Sequence, residues 1–347
     1  MFYIPFIVVI LFGIGVRKNQ LRNKYFCIIT GILYFALAAF RGSSVGTDTP
    51  HYINNLINLA GLPLARVAMI YKNDICFYWF VSILGRYTNS YTILFLIVSC
   101  WFGYSVWHFI NKYSPDPALS IIVLLALSLY QFSLTGIRQA IAMGFVVWAF
   151  DMIIQKKNLK AVVLILIGSL FHASSMASLV LIPINIFVKK VTRRGALIIC
   201  GLLAVEFLMR TYIAKYLVVL IADRDYSITE ANSGLTMTLV IFLLLVMTSV
   251  FMEEFSERNE NASFFFLTGA VGCAFQMLVA TQAIFFRLAF YFLMVYPIMI
   301  PSFISTLQNR NNHRIVKYVL YVLMSVQYLF FTMNSCGIAP YYFFWQE

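Results

Sequence analysis

Ile121 to Leu127 and Leu239 to Met247 are unbroken apolar runs, and stretches like them recur along the chain with only short polar breaks between. A strand of an outer-membrane barrel alternates apolar and polar positions over about ten residues, so continuous runs point to helices. A helix needs about 20 apolar residues to cross the hydrocarbon. A chain of 347 residues broken so sparingly therefore holds about twelve spans. Composition agrees: 62% of residues are hydrophobic and 11% charged, with mean hydropathy +0.85, outside the range of soluble domains. The expected fold is an all-α polytopic membrane protein of about twelve transmembrane helices. Residues 1–347 form a single integral membrane domain in this reading, with no room for a separate soluble one.

The net charge of +12 does not indicate nucleic acid, because the basic residues form short clusters beside apolar segments, as membrane orientation signals do. Arg17 to Lys24 is such a cluster and belongs on the cytoplasmic side, which puts the first segment, Met1 to Val16, outside-to-inside. That segment has no basic stretch before it and no small-residue cleavage site, so it reads as a retained span. Alternation then sends Lys156–Lys160, Lys189–Arg194 and Arg310–Lys317 inside. Arg41 to Ser90, Gly136 to Gln139, Phe171 to Ser175, Arg210 to Gly234 and Gly337 to Glu347 fall outside. Ile75 to Leu84 is too short to cross and reads as re-entrant or interfacial, at 75–84 of the outer segment. Of the 25 Lys and Arg residues, sixteen fall inside and nine outside. The acidic inner loop Glu253 to Asn261 opposes the trend, but acids contribute little to orientation. No internal repeat is visible, which weakens a two-halved transporter reading. The six cysteines form no CxxC pair. Cys76 and Cys336 both fall outside and could pair, yet separate small hydrophobes are the simpler reading.

Four polar motifs interrupt the apolar background, and the topology puts all of them on one face: Arg41-Gly42 through Gly46-Thr47-Asp48-Thr49, Gly136-Ile137-Arg138-Gln139, Phe171-His172, and Phe286-Arg287-Leu288. An arginine at a helix centre costs about 2.5–3.5 kcal/mol, and much less when it snorkels to the interface. One such arginine reads as an anchor. Three on one face, Arg41, Arg138 and Arg287, suit a diphosphate, because guanidinium forks bind phosphate oxygens bidentately. Thr49 is expected to cap a helix whose first position is Pro50. Asp48 either caps that helix or acts chemically beside Arg41, and His51 reads as a surface residue. Arg138 and Gln139 open a span, where free N–H donors and the helix dipole favour an anion. His172 reads as a packed residue unless it shares a cavity with the arginines, with Ser174 and Ser175 able to hydrogen-bond around it. His108 and His313 fall on the inner side. No H-x-E, H-E-x-x-H, G-x-S-x-G or P-loop pattern occurs, so no metal and no cofactor is expected.

Taken in order, Arg41-Gly42, Val45-Gly46-Thr47-Asp48-Thr49, Gly136-Ile137-Arg138-Gln139-Ala140-Ile141-Ala142, Phe171-His172-Ala173-Ser174 and the arginine before Tyr291 resemble the EpsG family of Wzy-type polysaccharide polymerases. The resemblance covers most of the chain. It implies an enzyme at the outer face of the bacterial inner membrane that joins oligosaccharide repeat units carried on undecaprenyl diphosphate, with the leaving group already present in the donor. It also implies that Arg41, Thr47, Tyr52, Arg138, Gln139, Arg287 and Tyr291 hold diphosphate or glycan. By the same analogy Asp48 is the first choice for general base and His172 the second. The implied partners are the lipid-linked oligosaccharide, membrane lipid and a chain-length regulator protein, with no nucleic acid. A lipid-linked oligosaccharide flippase and an O-antigen ligase remain alternatives. A flippase should carry charges deep in its spans, and a ligase differs only in its acceptor.

Overall fold

The computed structural model describes residues 1–15, 20–188, 190–221, 234–282 and 284–347. Of the orientation signals, Arg17, Lys18 and Lys189 lie outside the described residues, as does 222–233 of the expected outer segment Arg210 to Gly234. Hydrocarbon offers a backbone no water to bond, which leaves the helix as its natural form. Among the described residues every regular element is helical, apart from one isolated bridge between Arg41 and Phe343. The chain divides into two compact units, Met1–Leu179 with Val319–Glu347, and Val180–Tyr318.

The described residues hold fewer candidate spans than the expected dozen. Among them four helices are long and apolar enough to cross alone, Tyr91–Tyr113, Ile137–Ile154, Ala262–Val279 and Asn311–Thr332. Four further pairs are each bent at a short break, so the number reaches eight when each pair is one span. The apolar run Ile121 to Leu127 lies in such a pair, Pro117–Ala126 followed by Leu129–Thr135, turned by 56° where Ser128 adopts φ 59°. The Leu125 carbonyl at this break accepts from Gln131 Nε2 at 2.9 Å and Thr332 Oγ1 at 3.0 Å, so the bend leaves it satisfied away from water. Phe285–Leu293 and Tyr296–Thr306 form a second pair, bent by 42°. Hydropathy registers the summed apolarity of such a pair and misses the break.

In the first unit the helices are α1 (Tyr3–Gly15), α2 (Gln20–Ala39), α3 (Thr49–Asn58), α4 (Leu64–Ile70), α5 (Ile75–Gly85), α6 (Tyr91–Tyr113), α7 (Pro117–Ala126), α8 (Leu129–Thr135), α9 (Ile137–Ile154) and α10 (Asn158–Phe171), followed by a 3-10 helix at Ala173–Val180. α5 is as short as its sequence implied. α9 is buried over most of its length. α6 approaches it closely because residue 144 is glycine: a Cβ there would lie 2.4 Å from Trp101 Nε1, whose N–H donates to the Ile141 carbonyl at 2.9 Å. α2 joins α6 through Trp107 Nε1 donating to Thr30 Oγ1 at 3.2 Å. Near the C-terminal end of α9, Asp151 accepts from Lys112 Nζ at 2.7 Å, Gln155 Nε2 at 2.9 Å and the Tyr113 hydroxyl, clamping α6 to α9.

The sequence motifs of this unit gather at the other end of α9. There the loop from Arg41 to Asp48 is fastened to residues 336–344. Gly42 N–H donates to Tyr342 O at 2.8 Å, Gly46 N–H to Gly337 O at 2.9 Å, Thr47 N–H to Cys336 O at 3.2 Å, and Phe344 N–H to Phe40 O at 3.0 Å. Cys76 and Cys336 are free thiols.

In the second unit, α11 (Leu181–Phe187), α12 (Arg193–Leu208), α13 (Arg210–Ile221), α14 (Leu235–Val250), α15 (Met252–Arg258), α16 (Ala262–Val279), α17 (Phe285–Leu293) and α18 (Tyr296–Thr306) follow, and α19 (Arg310–Gln327) leads back into the first. Phe285 of α17, Leu278 of α16 and Ala214 of α13 share an apolar cluster. Buried Tyr296 donates to the Gly269 carbonyl at 3.3 Å.

Three natural labelling positions, Thr49, Thr135 and Ser175, prove buried, whereas Thr47 and Ala173 are exposed at the motif-bearing end and Lys157 and Lys160 at the other. In a cysteine-free background, Thr47→Cys and Ala173→Cys are expected to react with an impermeant maleimide added outside the cell. Lys157→Cys and Lys160→Cys are expected to react only after permeabilisation. The reverse pattern would overturn the charge-derived orientation.

Candidate functional site around Asp74

Asp74 immediately precedes α5 with φ 57° and ψ 33°, a left-handed conformation that costs an L-residue about 1–2 kcal/mol. It occupies the N-cap position, yet its side chain makes no capping bond. The carboxylate is turned elsewhere. Oδ2 accepts from Arg138 Nη1 at 2.9 Å and lies 3.1 Å from His172 Nδ1, while Oδ1 accepts the Ala173 N–H at 2.9 Å. Asp74 is 9% exposed. Burial alone would raise its pKa, but hydrogen bonds from His172 and the Ala173 N–H, with the charge of Arg138, outweigh that and hold the carboxyl below its ordinary value.

Each partner comes from a different element. Arg138 is the second residue of α9. Its Nη1 also donates to the Tyr78 hydroxyl at 2.9 Å, and it hydrogen-bonds with the Tyr52 side chain. Its guanidinium carbon lies 5.6 Å and 5.9 Å from the ring centres of Tyr78 and Phe77, within cation–π range. His172 caps the C-terminus of α10, and its carbonyl accepts from Ser175 N–H at 3.0 Å as the chain enters the 3-10 helix. Tyr52, on α3, is buried, and burial pushes its hydroxyl pKa up.

The loop before α3 carries the first motif. Arg41 is 1% exposed. Its guanidinium carbon sits 3.7 Å from the centre of the Phe95 ring, and Nη1 donates to the Ala38 carbonyl. Nε and Nη2 are buried with no partner among the described residues. Thr47 is exposed, its hydroxyl donating to Cys336 O at 3.0 Å. α3 begins at Thr49, so Asp48 and not Thr49 stands at the cap, with Pro50 second in the helix. Thr49 is diverted because its hydroxyl donates to Val45 O at 2.6 Å. Asp48 is half-buried, and its N–H donates to Thr135 Oγ1 at 2.9 Å. Its side chain makes no capping bond and enters no ion pair among the described residues. Gln139 is buried one residue beyond Arg138. His51 is exposed, its Nε2 3.1 Å from Asn55 Nδ2.

Thus Arg138, His172 and Tyr52 converge on or beside Asp74, with Arg41, Thr47 and Asp48 on the loop leading into α3. Arg287 and Tyr291 stand on α17 of the second unit, Arg287 exposed and 5.9 Å from the Phe286 ring centre, Tyr291 fully buried. Sequence reasoning missed Asp74. Lys72-Asn73-Asp74 before an apolar run looks like a polar turn with a capping aspartate, and its partners lie 64 and 98 residues further on. The signal that could have flagged it was company: a lone acid at the start of the short segment 75–84, on the same predicted face as the arginines.

A multi-pass helical membrane protein with a buried carboxylate, arginine and histidine converging at one helix end is the class these observations define. The sequence model of the EpsG family matches residues 24–344, and the chain belongs to that family, which is associated with polysaccharide polymerisation. Comparison with curated proteins and with solved structures gives no match.

Asp74 has its pKa lowered on folding, so it contributes stability above its unfolded value near pH 3.9 and loses that contribution as pH falls through the lower folded value. Asp74→Asn, which keeps shape and tolerance of the left-handed conformation, is expected to lower stability by about 1.5–3 kcal/mol at neutral pH. In unfolding measurements in detergent, the gap from wild type should close below about pH 4. A gap that persists unchanged into strong acid would show that the carboxylate charge is not what Arg138 and His172 need.

Proposed function

We propose that the protein is a polysaccharide polymerase that joins oligosaccharide repeat units carried on undecaprenyl diphosphate, at the outer face of the bacterial inner membrane. The observation that carries the reading is the convergence of Asp74, Arg138 and His172 in a chain of this family. A glycosyl diphosphate needs no activation by nucleotide. The acceptor hydroxyl oxygen bonds to the anomeric carbon, and the bond from that carbon to the diphosphate oxygen breaks. The lipid diphosphate departs with the electron pair, and the acceptor proton goes to a base.

His172 suits the base role. Asp74 facing Nδ1 favours the tautomer with its proton there, which leaves Nε2 free to accept. It takes precedence over Asp48, whose carboxylate has no partner to orient it. Arg41 and Arg138 counter the charge developing on the diphosphate, and Arg287 is assigned the same task. Thr47, Tyr52, Gln139 and Tyr291 bind glycan or diphosphate in this reading, with a chain-length regulator as protein partner.

The test is to delete the gene, complement with variants, and resolve surface glycans by size. A polymerase defect leaves single repeat units on the final acceptor and no ladder. A ligase defect strands long chains on the lipid carrier, and a flippase defect traps single units on the cytoplasmic side. His172→Ala and Asp74→Asn, at normal expression, are expected to reduce polymerisation on the order of a hundredfold, the scale of a lost general base. Arg138→Lys keeps the charge but not the fork, so most of the ladder should go. A normal ladder from the deletion strain, with no second polymerase present, overturns the function. A normal ladder from His172→Ala overturns the assignment of the base.

A further inference from the structure

We infer that the loop Gly42-Ser43-Ser44 is an anion seat for a phosphate or diphosphate group, occupied in the resting protein by the side chain of Glu347, which such a group must displace. The seat is built from backbone. Ser43 N–H donates to Glu347 Oε2 at 2.5 Å, Ser44 N–H to Oε1 at 3.1 Å, and the Ser44 hydroxyl to Oε1 at 2.5 Å. Successive N–H groups aimed at one carboxylate form the concavity in which proteins also hold phosphate. Glycine at 42 leaves the occupant its room: a Cβ there would fall 2.5 Å from Oε1, inside the space the anion fills.

Two further observations argue that Glu347 is a removable occupant and not the fastener of the loop. The loop is already tied down by backbone bonds from Gly42, Gly46 and Thr47 to residues 336–342. Glu347 itself is exposed, so its departure uncovers little surface. The bonds from Ser43 and Ser44 hold its carboxyl well below the ordinary glutamate range, at about 2, so it is an anion at physiological pH and competes with one. Arg41, directly before the seat, brings a cation that is 1% exposed and has two unpartnered nitrogens. That the group is the diphosphate of a lipid-linked sugar rests on the polymerase reading; the seat does not.

A tethered carboxylate competes at an effective concentration in the millimolar range, so removing it should tighten binding of a free anion. The experiment measures inorganic pyrophosphate binding by calorimetry to the full chain in phosphatidylcholine nanodiscs. Glu347→Gln is expected to bind about tenfold tighter than wild type. Adding Gly42→Ala or Ser44→Ala to Glu347→Gln is expected to abolish the gain, with melting temperatures checked for each. Repeating the measurement in phosphatidylglycerol nanodiscs separates the sources: if lipid headgroups fill the seat, the gain vanishes there and persists in phosphatidylcholine, and if they do not, it persists in both. Either result keeps the seat. Unchanged or weaker pyrophosphate binding by Glu347→Gln overturns it, as does a gain that survives Gly42→Ala. No gain for Glu347→Gln in phosphatidylcholine, with the glycan ladder still dependent on this gene, sinks the seat alone, and a clear gain with a normal ladder in the deletion strain sinks the polymerase reading alone.

Discussion

A carboxylate taken out of water costs several kcal/mol unless cations and hydrogen-bond donors replace its hydration, and Asp74 gathers both from across the fold. Its oxygens are met by α9 through Arg138, by the end of α10 through His172, and by the first N–H of the 3-10 helix. One side chain therefore fixes where three elements end relative to α5. The dependence is mutual. Removing one partner leaves the carboxylate or its cation less compensated, so the members of the group support one another. The left-handed backbone at residue 74 belongs to the same arrangement, since it turns the carboxylate away from the helix it would otherwise cap.

Asp151 is the useful contrast. It too is buried and paired with a cation, Lys112, at 2.7 Å. But its partners Lys112, Tyr113 and Gln155 sit on α6 and at the end of α9, helices that already pack side by side. Lys112 is substantially solvated, with its side chain 37% exposed, and no backbone strain is spent on the arrangement. Such a cluster clamps two helices and needs no further role. Asp74 combines an unfavourable backbone, a cap position left unused and a histidine ring, which together exceed what holding helices requires.

Much of this was legible in the sequence, and the failures share a cause. Periodicity and hydropathy are local, so they correctly gave an all-helical membrane protein, a short segment at 75–84, and polar breaks at the ends of helices. Arg138, His172 and Tyr52 were identified because each sits in or near a short polar motif against an apolar background. Asp74 escaped because its meaning lies in contacts with residues far along the chain, and locally it resembles a turn. Asp48 was favoured for the converse reason, since its sequence neighbours Arg41 and Thr47 make a conspicuous motif. In the fold its side chain makes no capping bond and enters no ion pair among the described residues. The count of about twelve spans is not reached because apolar stretches such as Tyr3–Gly13, Asn158–Phe171 and Ala173–Phe187 form helices shorter than a full crossing, a length that average hydropathy does not report. Gln131, which looks like a stray polar residue in a span, bonds Leu125 O and Thr332 O, tying the bend to a residue 201 positions away.

Arg41 and Arg138, the two motif arginines of the first unit, differ in their surroundings. Arg138 is neutralised by Asp74 and further engaged by Tyr78 and Tyr52, so a ligand meets it as part of a nearly neutral group. Arg41 has the Phe95 ring, worth about 0.5–2 kcal/mol as a cation–π partner, and one carbonyl. Against this stand two buried donors with no partner among the described residues, an arrangement that costs about 1–3 kcal/mol per unmade bond. A leucine or methionine of similar bulk would pack against Phe95 without that penalty, and replacing buried charge in this way is often stabilising. Stability therefore does not explain Arg41. The polymerase proposed above would give it a use: a guanidinium already out of water offers a phosphate its full attraction without first shedding hydration. In that proposal Asp74 and its partners shape the site, and Arg41 brings to it the charge that draws an anion.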